Sequence, residues 1–184
     1  MKSYIKLSML VFVVWAMDTQ AADQADSATT SAIVELKGLT CNEGKFGLFL
    51  PTSLQDYAAL GKPMSEKSGP AGYEEPDNGS SQEVTHDWYI FEYPGLSVHA
   101  VAALKKPYAS FVQSAVVSDA RWNKYFGIKV GTSITDILPH TSRVKISTSS
   151  PLMFCGSLVG EPDCAKVLLK HGIILKVEYQ CFTG

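Results

Sequence analysis

Two places in the chain carry residue types that do chemistry. His86-Asp87 sets an imidazole beside a carboxylate, the pair used in general acid–base catalysis or in part of a metal site. Phe154-Cys155-Gly156-Ser157 sets a thiol near a hydroxyl. Spacing argues against both. Residues 86–93 read as a strand, and adjacent strand side chains point to opposite faces, so His86 and Asp87 do not converge. His99, His140 and His171 fall in a predicted strand, a helix end and a tight turn, with no carboxylate or Cys at ligand spacing. Nucleophile-elbow, phosphate-loop, zinc-protease and dinucleotide motifs are absent. The residues imply no catalytic group, no metal and no cofactor. An enzyme is therefore the weak reading, and it would require His86, Asp87 and His99 to meet in one pocket.

The cysteines have a simpler explanation than nucleophilic chemistry. Cys41, Cys155, Cys164 and Cys181 are even in number, without a Cys-x-x-Cys spacing, and follow a segment with the parts of a secretory signal. Three pairings are open, and strand geometry favours one of them. If 152–158 and 164–169 are antiparallel, Cys155 and Cys164 fall opposite each other, which leaves Cys41 for Cys181. That second bond would close a very long loop and contribute a few kcal/mol by chain entropy.

The N-terminal segment has basic Lys2 and Lys6, an apolar run from Leu7 to Ala16 and a small-residue exit at Thr19-Gln20-Ala21. The run is too short to span a bilayer, so residues 1–21 read as a signal peptide and 22–32 as a flexible leader. The expected localisation is periplasmic or secreted, without membrane insertion. The chain carries a net charge of −2 and no basic block, which argues against nucleic acid as a partner. A hydrophobic fraction of 46% is sufficient to build a core, and residues 33–184 read as one globular domain.

Those elements repeat. Lys45-Phe-Gly-Leu-Phe-Leu-Pro-Thr-Ser-Leu-Gln-Asp56 returns as Tyr125-Phe-Gly-Ile-Lys-Val-Gly-Thr-Ser-Ile-Thr-Asp136, so two units of about 42–119 and 122–183 are expected. In each copy alternating apolar residues predict a short strand. Thr52-Ser53 and Thr132-Ser133 then predict helix N-caps, with Asp56 and Asp136 favourable in the first turn. The helices are expected near 53–60 and 133–138. Residues 61–81, rich in turn-formers, read as a long exposed loop.

Residues 86–93 and 96–104 predict a hairpin about Pro94-Gly95. One face would pair Tyr93 with Leu96, Phe91 with Val98 and Tyr89 with Ala100. The other would pair Glu92 with Ser97, Ile90 with His99 and Trp88 with Val101. A third strand at 111–118 completes the first unit, and 152–158, 164–169 and 173–181 supply the second. The expected class is thus α+β: two tandem α-β-β-β units forming a curved antiparallel sheet with helices packed on one side.

This layout resembles the β-lactamase inhibitor protein fold, shared by small outer-membrane assembly lipoproteins. The resemblance rests on Phe46-Gly-Leu-Phe-Leu-Pro-Thr-Ser, Phe126-Gly-Ile-Lys-Val-Gly-Thr-Ser and the Tyr93-Pro-Gly-Leu-Ser-Val98 hairpin, and spans roughly 45–181. It implies a sheet whose exposed face grips another protein, with no catalytic residues to carry over. The candidate partner-binding residues are Trp88, Ile90, His99 and Val101, with Glu92 at the rim and Tyr73 in the long loop. Covered by a helix or the N-terminal segment, the same face would be core. The expected function is an exported protein, monomeric when free, that inhibits or neutralises an envelope enzyme or toxin by occlusion, an immunity protein being one such case. An envelope scaffold component is the alternative.

Overall fold

Among the described residues eight strands form one sheet: β1 (Ile33–Glu35), β2 (Ser65–Glu74), β3 (Glu83–Tyr93), β4 (Leu96–Ala103), β5 (Lys106–Val117), β6 (Leu152–Cys155), β7 (Cys164–Lys170) and β8 (Ile173–Gln180). Their order across the sheet is β1-β6-β7-β8-β5-β4-β3-β2. β1 lies parallel to β6, and the other pairs are antiparallel. The computed structural model describes residues 33–41, 44–74, 83–104, 106–142, 151–157 and 160–182, with backbone alone at 72–74, 83–84 and 106–109. The expected signal peptide and leader lie outside the described residues.

The turns fix the register. Pro94-Gly95 joins β3 to β4 and sets Tyr93 opposite Leu96, so Phe91 meets Val98 and Trp88 meets Val101. His171 and Gly172 both have positive φ, 52° and 78°, as a two-residue turn matching strand twist requires. Four strands on each side meet where β5 pairs with β8, from Ser114 opposite Gln180 to Val117 opposite Val177.

The expected α+β class is not what forms. The described helical residues are short 3-10 segments at Leu54–Leu60, Ala120–Tyr125, Ile134–Asp136 and Leu138–His140, so the molecule is a mixed β-sheet rather than a sheet carrying packed helices. The cause is length. Few residues separate each Thr-Ser step from a breaker, Gly61 in the first half and Pro139 in the second, and so short a stretch does not repay helix nucleation. Ser133 does cap its segment, accepting a hydrogen bond from the Thr135 amide at 3.2 Å, whereas Ser53 occupies the same position without a side-chain bond. Asp56 and Asp136 both lie in first turns.

The long loop expected at 61–81 is also corrected, because Ser65–Glu74 is an edge strand paired with β3. Its turn-formers, Ser65, Ser68, Gly69, Pro70 and Gly72 among them, and its lack of an apolar period made it read as loop. Charge, proline and the register shifts around Pro70 and Gly72 are devices by which an edge strand resists pairing with another chain.

In place of helices, the two repeat segments cover the inner face of the sheet. Phe46, Leu48 and Leu50 from the first copy, and Phe126, Ile128 and Val130 from the second, join the core with Val98, Val117, Val167, Val177 and Tyr179. The copies clasp each other. Leu48 bridges Phe126, the Gly127 amide donates to the Gly47 carbonyl at 2.8 Å, and the Phe49 amide donates to the Tyr125 carbonyl at 2.9 Å. Both glycines are required by close approach: a Cβ on Gly127 would overlap the Lys45 carbonyl and the Phe46 Cα, and one on Gly47 the Thr40 carbonyl. Each copy then hands its Thr carbonyl to the last strand of its own half. Thr52 accepts from the Ser110 amide at 2.8 Å, and Thr132 from the Ile174 amide at 2.9 Å.

Two disulfides complete the frame. Cys155–Cys164 joins residues directly opposite on β6 and β7, and Cys41–Cys181 ties the entry to the first repeat to the residue after β8. The latter spans 140 residues of sequence. A loop of that size contributes about 5 kcal/mol in the chain-entropy account.

Two buried phenols differ in their partners. Tyr179 Oη accepts from the Ile128 amide at 3.1 Å, whereas Tyr57 Oη is buried with no hydrogen-bond partner. Burial pushes the pKa of both well above the usual phenol range, with Tyr93 adding to the effect at Tyr57. Above about pH 10 the unfolded chain ionises these phenols and the folded chain does not. The native state then binds more protons, and stability falls by about 1.4 kcal/mol per pH unit per phenol. Tyr57→Phe should remove one phenol's share of that slope and raise neutral-pH stability by about 1 kcal/mol, since it deletes an unpaired polar group. Urea denaturation from about pH 9 to about pH 11 checks both; an unchanged slope in the variant would contradict the burial argument.

Candidate functional site

β3 alternates two kinds of surface because its side chains alternate between faces. Phe91 and Tyr93 enter the core, while Trp88, Ile90 and Glu92 point to the outer face. β4 does the same: Leu96, Val98 and Ala100 are inner, and Ser97, His99 and Val101 are outer. The register sets Trp88 opposite Val101, Ile90 opposite His99 and Glu92 opposite Ser97. Phe111 of β5 lies opposite Val101 and Val116 opposite Ser97, which extends the apolar sector across three strands.

Trp88, Ile90 and His99 are half-buried, Val101 is 8% exposed between Trp88 and Phe111, and Phe111 is 38% exposed. None of the five belongs to the main core cluster or packs against it. They form a separate apolar layer on the far side of the sheet. The Trp88 indole meets the His99 ring edge-on, at 6.2 Å and 87°. It also lies over Gly69 of β2, where a Cβ would come within 2.9 Å of the ring. Gly69 thus makes the space in which the indole rests.

Polar groups in this sector are few. Glu92 Oε1 accepts from Ser97 Oγ at 2.7 Å, which holds the carboxylate at the rim. His99 Nε2 is buried and has no hydrogen-bond partner. The other end of the outer face is charged: Glu178 accepts from Lys176 at 2.6 Å and faces Lys166 at 3.7 Å, and these lysines hold its pKa below the usual carboxylate range. The outer face therefore carries an aromatic and aliphatic sector at one end and, at the other, a carboxylate flanked by two lysines beside exposed Leu168.

Five of the six residues singled out in the sequence, Trp88, Ile90, Glu92, His99 and Val101, come together on this face. Tyr73 falls in β2 opposite Val84, and its side chain lies outside the described residues. His86, Asp87 and His99 do not converge. His86 pairs with Ala103 and accepts or donates at Thr85 Oγ1, 2.9 Å away, while Asp87 points to the opposite face from His86. Sequence reasoning missed Gly69, Phe111 and Val116. Gly69 was hidden in the supposed loop, and Phe111 and Val116 enter this face only through the register shift between His99 and Ala100.

One cluster has the outline of a metal site. Cys41, Asp163 and Cys181 offer ligand atoms within 4.8 Å of one another. Both cysteines are joined in a disulfide, so neither is a thiolate. The Asp163 carboxylate instead accepts from the Cys41 amide at 2.7 Å, from Thr40 Oγ1 at 3.2 Å and from the Phe182 amide at 2.9 Å. It clamps the backbone on both sides of the disulfide. Among the described residues the cluster is a structural joint.

Comparison with protein-family models, with curated proteins and with solved structures finds no match to this chain.

If the outer sector is a surface and not a second core, its truncation should be mild. Trp88→Ala or Ile90→Ala should cost about 1 kcal/mol of unfolding free energy, against about 3–5 kcal/mol for Phe91→Ala on the inner face. Urea titrations of the three variants decide it; equal losses would mean that another layer covers Trp88.

Proposed function

We propose that this protein is an extracytoplasmic binding protein that neutralises an enzyme or toxin by occluding it, in the manner of an inhibitor or immunity protein. The observation that carries the reading is the outer apolar sector around Trp88, Ile90, His99 and Val101, set on a sheet fastened by two disulfides. Two disulfides place the chain in an oxidising, extracytoplasmic compartment. The periplasm is our specific choice for that compartment. Among the described residues no helix is long and apolar enough to cross a membrane.

The physics of such a site is direct. A cross-linked sheet loses little conformational freedom on binding, so more of the contact energy appears as affinity. Trp88 is the anchor, a large amphipathic ring of the type that dominates interface energetics. His99 beneath it supports the indole edge-on. Glu92, held by Ser97, meets basic groups at the rim and disfavours acidic ones.

The test is affinity capture from envelope and secreted extracts with the oxidised protein, its Trp88→Ala variant and a Leu168→Ala control from the charged end of the outer face. One hydrolase or toxin should be retained in equal stoichiometry by the parent and the control, and its affinity for Trp88→Ala should fall by about tenfold or more. Retention unaffected by Trp88→Ala would mean that the wrong face is named. A stable set of envelope assembly proteins would replace the inhibitor reading with that of a scaffold.

A further inference from the structure

The inner face of β3 carries a second feature, independent of the outer sector and facing the other way. Tyr89, Phe91 and Tyr93 occupy alternate positions on the strand, so their rings form a row on one face. Tyr57, from the 3-10 segment at 54–60, stacks on Phe91 with ring centroids 4.9 Å apart and 23° between planes. Tyr89 and Phe91 lie nearly parallel, 6.2 Å apart at 6°. Between this segment and the β2 edge opens a cleft of about 470 Å³ lined by these four aromatic residues. Its volume falls within the range of small-ligand sites.

The polar lining is sparse. Glu66 of β2 lies directly opposite Phe91, and side chains of opposed residues share a face, so its carboxylate stands beside the aromatic row. Glu66 raises the pKa of both Tyr89 and Tyr93, behind the effect of burial in each case and, at Tyr89, behind Asp87. It forms no ion pair with a described residue. Lys62 also lines the cleft and is the one cationic group there among the described residues. Tyr57 adds a buried hydroxyl without a partner, a cost that an ordinary core would shed by using Phe.

We infer that this cleft is a binding site for a small organic cation of the alkylammonium or amino-alcohol class. Aromatic rings carry negative quadrupole on their faces, and a row of them beside a carboxylate that pairs with no described residue discriminates charge from mere bulk. An anion would meet both Glu66 and the ring faces as repulsion. A neutral apolar ligand would leave Glu66 unused and gain nothing from it. Lys62 opposes the cation and so sets the site to weak, exchangeable binding.

Choline is the probe, and 3,3-dimethylbutan-1-ol is its neutral isostere, the same shape with carbon in place of nitrogen. Each is titrated into the full oxidised protein by NMR, reading the Tyr and Phe ring signals. Choline should saturate in the millimolar range and bind about fivefold or more tightly than the isostere. Glu66→Gln should abolish most of that preference, Tyr89→Leu should weaken choline about fivefold, and Lys62→Ala should strengthen it. Glu66 is exposed and Tyr89 only half-buried, and a circular-dichroism melt establishes that each variant is folded. Equal binding of choline and the isostere would overturn the assignment in favour of an apolar cleft, and saturation by neither would overturn it altogether. Neither result bears on partner capture through Trp88, so this inference and the proposed function fail separately.

Discussion

The rest of the structure depends on the place where the two repeats touch. Gly127 lies against the Lys45 carbonyl and the Phe46 backbone with no side chain between them, which lets its extended segment donate an amide to the Gly47 carbonyl at 2.8 Å. From that clasp each copy sends three apolar side chains into the core and passes a Thr carbonyl to its own half's last strand. A sheet this wide must bury its inner face, and among the described residues no long helix does so. The clasped repeats are the layer that does. The Cys41–Cys181 bond and the Asp163 carboxylate then fasten the entry of the first repeat to the exit of β8, so that the halves hold together from the side as well as from within.

A sheet covered in this way has one face committed and one face free to differ. The inner face takes its shape from the clasp, and where cover thins near β2 it leaves the aromatic cleft of Tyr57, Tyr89 and Phe91. The outer face carries Trp88 and its neighbours on β3–β5 and a charged cluster on β7–β8. Both features draw on the single run from Trp88 to Tyr93, in which every second residue serves a different face. One strand thus supplies the anchor of the proposed interface and the wall of the cleft.

Much of this was legible because short-range geometry decides it. A two-residue turn at Pro94-Gly95 leaves one in-phase pairing for its flanks, and the pairs from Tyr93/Leu96 to Trp88/Val101 follow from it. The same reasoning at Cys155 and Cys164 selects the disulfides among three pairings. The Thr-Ser-x-x-Asp steps marked where the chain turns, but capping residues do not measure helix length, and the segments they open end after a few residues at Gly61 and Ile137. β2 was illegible for a different reason. An edge strand hides its period behind the charge and proline that protect it, and with β2 read as loop neither Gly69 beneath Trp88 nor Glu66 beside Phe91 had a place. The clasp itself is a contact between distant segments: the repeat announced two like units, and nothing local announced that the copies would meet.

Gly127→Ala tests the central claim most directly. It adds one methyl group where the Lys45 carbonyl and the Phe46 backbone already stand, so the clasp must open for the side chain to fit. Guanidinium unfolding of the oxidised variant, followed by both tryptophan fluorescence and far-ultraviolet circular dichroism, should show a loss of about 3 kcal/mol or more with the two signals still coincident. A stability within about 0.5 kcal/mol of the parent would mean that the repeats do not hold the halves together, and that the disulfides and the β5–β8 pairing alone do so.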